Sequence, residues 1–263
     1  MLKKILKYDL KYMIKNMSVF YILSLFFSIT TRILFSLNQT VMVKIIGQIS
    51  VGCLFAMIVN ILINTMMRSW MRFRDSIYKD ESYLTHTLPV TKNDIYNSKF
   101  IQTLVFFIFG FLIILLSLFI AYYTKDRWLE LKGVINAITT GLEFNTTLFV
   151  ISFIAVVFLE VFNAIQCGFF GIILGHKNNN GKTGLSVLFG FVSYIVSQSI
   201  VLMLLFIFGL FDSSIMNLFT NNVLIDTSSM KLLIVLSILI YILIIGLMSI
   251  LCKKELNKGV NIE

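Results

Sequence analysis

Six apolar runs, at residues 18–37, 45–67, 101–124, 147–174, 185–211 and 232–252, constrain this chain more than any other feature. A helix needs about 20 residues to cross a hydrocarbon core of about 30 Å, and each run reaches that length. The runs are continuous and do not alternate as the strands of a membrane barrel would, so they read as helices. Charged residues make up 13% of the chain, too few to clothe a soluble domain of this length, where about 25% is usual. The fold class expected is all-α transmembrane, with six membrane-spanning helices in one domain over residues 1–263. No soluble domain, low-complexity linker or internal repeat interrupts them. The segments at 125–146 and 212–231 have room for a short helix each, and 38–44 is a short hairpin connection.

A net charge of +9 could suggest nucleic acid, but the placement of the charges argues otherwise. With the N-terminus inside and six crossings, sixteen basic residues fall inside: Lys3, Lys4, Lys7, Lys11, Lys15, Arg68, Arg72, Arg74, Lys79, Lys92, Lys99, Lys177, Lys182, Lys253, Lys254 and Lys258. Only Lys44, Lys125, Arg127, Lys132 and Lys231 fall outside, with Arg32 within the first span. This bias is the positive-inside rule, and it places both termini in the cytoplasm. The charge therefore reports topology, and no nucleic-acid partner is expected. The first 17 residues lack the apolar core of a cleavable signal peptide. Cys53, Cys167 and Cys252 lie within runs, so they read as small core residues and not as a disulfide or metal framework.

Residues 1–16 pattern as an amphipathic, interfacial helix on the lipid of an anionic inner leaflet. Lys3, Lys7, Lys11 and Lys15 share one face, and Leu2, Ile5, Leu6 and Met13 the other. Asp9 breaks the pattern by projecting into the apolar face. Such a carboxylate either packs on protein beside a basic partner or reaches water at a frayed or tilted helix.

Residues 68–100 form a polar insert between spans two and three, longer than a turn requires, and hold Pro89, the chain's one proline. The second span is expected to continue through RSWMRFRDSIY, with Arg68, Arg72 and Arg74 near the lipid headgroups. A short helix over 81–87 should stop near Leu88, because the residue before a proline is pushed out of the α region. Thr91 and Asp94 form a capping box, and Val90 and Ile95 a hydrophobic staple, so a new helix restarts there and runs into the third span. The outcome is two helical legs joined at a proline-pinned knuckle, a shape suited to passing on a displacement.

YLTHTLPV at Tyr83–Val90, followed by Lys99 of NSKF, resembles the inter-span segment of bacterial ATP-binding-cassette transporter permeases of the type-2 exporter superfamily. The phrase KYDLKYMIKN near the N-terminus resembles that family's connecting helix. The resemblance implies a permease subunit in a bacterial plasma membrane, paired with a second permease copy or homologue. A separate cytoplasmic ATPase would dock on a coupling helix. Carried onto this chain, the docking residues would be Tyr83, Leu84, Thr85, His86, Leu88 and Pro89. ATP and Mg would be bound by the partner ATPase, leaving this chain without a cofactor and without an enzyme's role. A second reading is a non-transporting membrane protein, such as a sensor partner or immunity protein, that works without an ATPase.

The segment GHKNNNGKT, Gly175–Thr183, imitates a P-loop but has five residues between its glycines where the motif requires four, and a span precedes it instead of a strand. His86 and His176 lie in different loops, and no HExxH or GxSxG pattern occurs. Polar residues within spans are more informative. Glu160 lies at the middle of the fourth run, where an acidic side chain costs roughly 2.5–3.5 kcal/mol to insert. Asn163 and Cys167 share its face; Asn60 and Asn64 lie in the second run, and Ser193, Ser197 and Gln198 in the fifth. Glu160, Asn163, Asn60, Asn64 and Gln198 are candidates for a substrate path, or else form hydrogen-bonded clamps between helices. Arg32 sits near the outer end of its span and can snorkel, at a depth that does not favour pairing with Glu160. Gly168, Gly171 and Gly175 mark a small-residue edge suited to helix packing.

Overall fold

The structure, a computed structural model, describes residues 2–37, 40–79, 81–87, 89–124, 128–130, 132–136, 145–211, 216 and 227–259. Helices account for the regular structure among the described residues: α1 (Leu2–Ser36), α2 (Val41–Ile77), α3 (Glu81–Thr87), α4 (Lys92–Tyr122), α5 (Thr146–Gly175), α6 (Lys182–Phe211) and α7 (Thr227–Asn257). All but α3 are long and apolar enough to span a bilayer. The protein has an all-α transmembrane fold. Most of the longer segments at 125–146 and 212–231 lie outside the described residues.

The helices outrun the apolar runs, and the sequence explains why. No glycine or proline occurs before Gly47, so nothing separates the amphipathic N-terminal segment from the first span. The two form one 35-residue helix, and the segment expected to lie on the leaflet as a helix of its own prolongs the span instead. At 1.5 Å per residue α1 is about 52 Å long. The second span continues through the arginine-rich stretch to Ile77, as its pattern predicts. Its N-terminus is capped by Thr40, whose hydroxyl accepts from the Val43 amide. The knuckle follows the sequence closely: α3 ends at Thr87 and α4 begins at Lys92, with Pro89 between them. Thr91 caps α4, its hydroxyl accepting from the Asp94 amide at 3.1 Å and bonding the Asp94 carboxylate at 3.0 Å.

Two compact units divide the chain, Met1–Leu129 and Glu130–Ile262, with three span-length helices each. In the first unit α1, α2 and α4 pack around Met13, Met17, Tyr21, Ile61, Phe106 and Ile114. Hydroxyl pairs stitch the helices at depth: Ser24 to Ser117 and Thr31 to Ser50, each at 2.9 Å. In lipid such pairs substitute for the missing hydrophobic drive between helices. The second unit packs α5, α6 and α7 around Cys167, Val201, Ile240, Tyr241, Ile244 and Met248. Large apolar side chains remain exposed on both units, among them Phe26, Ile63, Phe109, Phe153, Phe191 and Leu243, as a surface meeting lipid requires.

Candidate functional site

In the first unit the most unusual chemistry surrounds Asp9. Asp9, Met13 and Met17 recur at helical spacing on α1, so the carboxylate enters the same face as the core methionines and is fully buried. Lys99 Nζ reaches Asp9 Oδ1 at 2.6 Å and Arg72 Nε reaches it at 2.9 Å. Ser98 donates to Oδ2 at 2.9 Å. One carboxylate thus ties α1 to α2 and α4. Arg72 goes further: its Nη1 meets Glu81 Oε2 at 2.5 Å, and its guanidinium lies 4.8 Å from the Tyr12 ring centroid. Glu81 opens α3, so the short helix hangs from the same buried cluster. Nearby, Arg68 donates to Asn16 at 3.2 Å.

The protein-packing reading of Asp9, beside a basic partner, is therefore the one observed. Arg72 turns inward to the buried carboxylate, which needs a counter-charge. Lys99, picked out in the sequence only through the resemblance, supplies the second charge.

The candidate docking residues divide by exposure. Tyr83 is 63% and Leu84 74% exposed, while Ser82 between Glu81 and Tyr83 is buried. Helix α3 is therefore anchored on one side and presents an apolar edge on the other. Thr85 and Thr87 satisfy their hydroxyls on the Glu81 and Leu84 carbonyls. Pro89 is exposed. Leu88 lies outside the described residues, as does the side chain of His86, whose backbone belongs to α3.

The candidate substrate-path residues do not form one set. Asn60 and Asn64, on α2, bond the Ala56 and Asn60 carbonyls of their own helix, each at 2.9 Å. A side-chain amide one turn on is a ready partner for a carbonyl, so both are accounted for locally. Asn163 is buried and donates to Ser197 at 2.5 Å, with Cys167 3.8 Å from its carbonyl oxygen. That contact clamps α5 to α6.

Glu160 and Gln198 differ. Tyr194 of α6 donates to Glu160 Oε1 at 3.5 Å, and Tyr241 of α7 donates to Gln198 Oε1 at 3.2 Å. Tyr194 and Gln198 are one turn apart on α6, which joins the two pairs. The structure therefore adds two tyrosines that sequence reading missed, because aromatic residues in spans are common. Their signal was the i, i+4 spacing of Tyr194 and Gln198.

The remaining sequence features are structural. Arg32 donates to the Tyr123 carbonyl at the C-cap of α4. GHKNNNGKT is the turn from α5 to α6, and Gly181 holds φ 68°, a left-handed conformation that favours glycine. His176 is buried at the C-cap of α5, its Nδ1 2.8 Å from the Ile172 carbonyl and 3.2 Å from Ser186 Oγ. The three cysteines are free thiols, and among the described residues no group of three or more His, Cys, Asp or Glu is placed to hold a metal. Comparison with protein families, curated proteins and solved structures finds no match to this chain.

Proposed function

We propose that this chain is the permease subunit of an ATP-driven exporter in a bacterial plasma membrane, with both termini cytoplasmic. A separate ATPase supplies ATP hydrolysis, and a second permease copy or homologue completes the translocator. The observation that carries this reading is the seating of α3: an exposed Tyr83–Leu84 edge on a helix pinned by Glu81 to Arg72, and through Asp9 to α1 and α4. A force on that edge reaches three span-length helices through charged contacts instead of dissipating in a loop. The distribution of basic residues puts α3 on the cytoplasmic side, where an ATPase would meet it. The resemblance of Tyr83–Val90 to the inter-span segment of type-2 exporter permeases supports the same assignment.

The test is association. A tagged chain purified from its native membrane is expected to retain an ATP-binding subunit that crosslinks to a cysteine at position 84. The double substitution Tyr83→Ala, Leu84→Ala removes the central apolar anchor. By the usual size of such hot spots it should weaken association by about 2 kcal/mol, on the order of thirtyfold. A chain that holds no ATPase, or that holds it equally well after the double substitution, would favour the non-transporting reading.

A further inference from the structure

Each unit contains an acidic side chain within its helical packing, and the helices of the two units answer it differently. Asp9 has Lys99 and Arg72. Glu160, at the midpoint of the 30-residue α5, has no cation of α5, α6 or α7 at its depth. Helix α5 carries no lysine or arginine, α6 has only Lys182 at its first position, and α7 has Lys231, Lys253 and Lys254 toward its ends. The nearest of these in sequence to mid-span Tyr241 is ten residues away, about 15 Å along the helix. What meets Glu160 instead is a neutral hydroxyl, Tyr194 on Oε1, and one turn along α6 from Tyr194 the Gln198 amide accepts from the Tyr241 hydroxyl. Glu160, Tyr194 and Gln198 are half-buried rather than sealed. The buried Nε2 of Gln198 has no hydrogen-bond partner among the described residues.

We propose that Glu160, Tyr194, Gln198 and Tyr241 form a mid-span seat for the headgroup of a cationic amphiphile, a protonated primary amine flanked by a hydroxyl or carbonyl oxygen. The carboxylate supplies the counter-charge that a desolvated ammonium needs. The tyrosine and glutamine oxygens accept its remaining N–H bonds, and the ligand's own oxygen accepts from Gln198 Nε2. Phosphate-bearing zwitterionic lipid fits poorly, because its anion would sit beside Glu160 with no cation of α5–α7 at that depth. The alkyl tail lies along exposed apolar flanks of α6 such as Ile195 and Leu202. The exporter reading enters only in calling this ligand cargo.

The experiment measures binding alone and needs no ATPase, so its outcome is independent of the association test on α3. Full-length protein in phosphatidylcholine nanodiscs is equilibrated with radiolabelled 2-aminododecan-1-ol, and separately with uncharged dodecane-1,2-diol. Retention on empty nanodiscs is subtracted. The wild-type chain is expected to prefer the amine at least tenfold, on the order of a charge-assisted hydrogen-bond network. Glu160→Gln should abolish that preference, and Asn60→Ala, in the other unit, should leave it intact. Should Glu160→Gln fail to fold, Tyr194→Phe, which keeps the ring, must reduce the preference about threefold. Equal binding of amine and diol by the wild type, or full preference in folded Glu160→Gln or Tyr194→Phe, would overturn the proposal and leave Glu160 as a hydrogen-bonded clamp.

Discussion

Asp9→Ala is expected to destabilise the first three-span unit by about 3–5 kcal/mol, the usual consequence of removing one member of a buried ion cluster. The loss is large because of what stays behind. Lys99 is buried with Asp9 as its direct counter-ion, and Arg72 would keep only Glu81. Ser98 would also lose its acceptor. Glu81→Ala provides the contrast. Its carboxylate is half exposed, so breaking that end of the chain of charges should cost at most about 1 kcal/mol. The two substitutions should also differ in where they act: Glu81→Ala frees α3 alone, whereas Asp9→Ala loosens α1, α2 and α4 together. Thermal unfolding in detergent ranks the pair, and limited proteolysis around residues 78–91 reports the freeing of α3. Replacing Asp9, Arg72 and Lys99 together by leucine, methionine and methionine should recover most of the stability, because no charge is then stranded. Equal, small effects of Asp9→Ala and Glu81→Ala would mean that water reaches the cluster.

Much of this fold was legible because the bilayer leaves a chain few options. Continuous apolar runs specify helices, and Thr91, Asp94 and Pro89 specify where α4 starts and α3 must end. The misfit of Asp9 on an apolar face left two readings, a basic partner or water at a frayed helix, and the packing chose the first. What the pattern could not give was the identity of that partner, since Arg68, Arg72 and Arg74 are near neighbours and only packing decides which turns inward. The same limit applied to polar residues within spans. Asn60 and Asn163 look alike in sequence, yet one bonds its own helix and the other bridges to Ser197. A side-chain amide in lipid takes the nearest partner, and whether that is its own backbone or the next helix depends on rotation about the helix axis. Glu160 bonds across to Tyr194 of α6 in the same way.

The second large effect concerns how those helices are held in register. A Cβ added at Gly171 would lie 2.3 Å from the Gly190 nitrogen, 2.4 Å from its Cα and 2.6 Å from the Ser186 carbonyl oxygen. All three are backbone atoms, so no rotamer change relieves the clash and α5 and α6 must part. Gly175 is in the same position, 2.4 Å from the Ser186 nitrogen. Close approach of small residues is how helices bind in lipid, and here it brings the backbones into contact. Gly171→Ala should therefore cost about 3 kcal/mol or more, at or beyond the upper end for overpacking. Gly190→Ala supplies the control: its Cβ would find Gly168 Cα at 3.5 Å, ordinary van der Waals contact, and should be tolerated within about 1 kcal/mol. The antiparallel pairing of Gly175 with Ser186, Gly171 with Gly190 and Asn163 with Ser197 forms a ladder between α5 and α6, and Tyr194, between Gly190 and Ser197 on α6, reaches Glu160 from it. Parting the glycine rungs should thus also pull the tyrosine from the carboxylate. In the nanodisc assay Gly171→Ala is expected to lose amine preference along with stability, and Gly190→Ala to lose neither. A Gly171→Ala protein as stable as wild type would show that the helix backbones do not meet at this crossing.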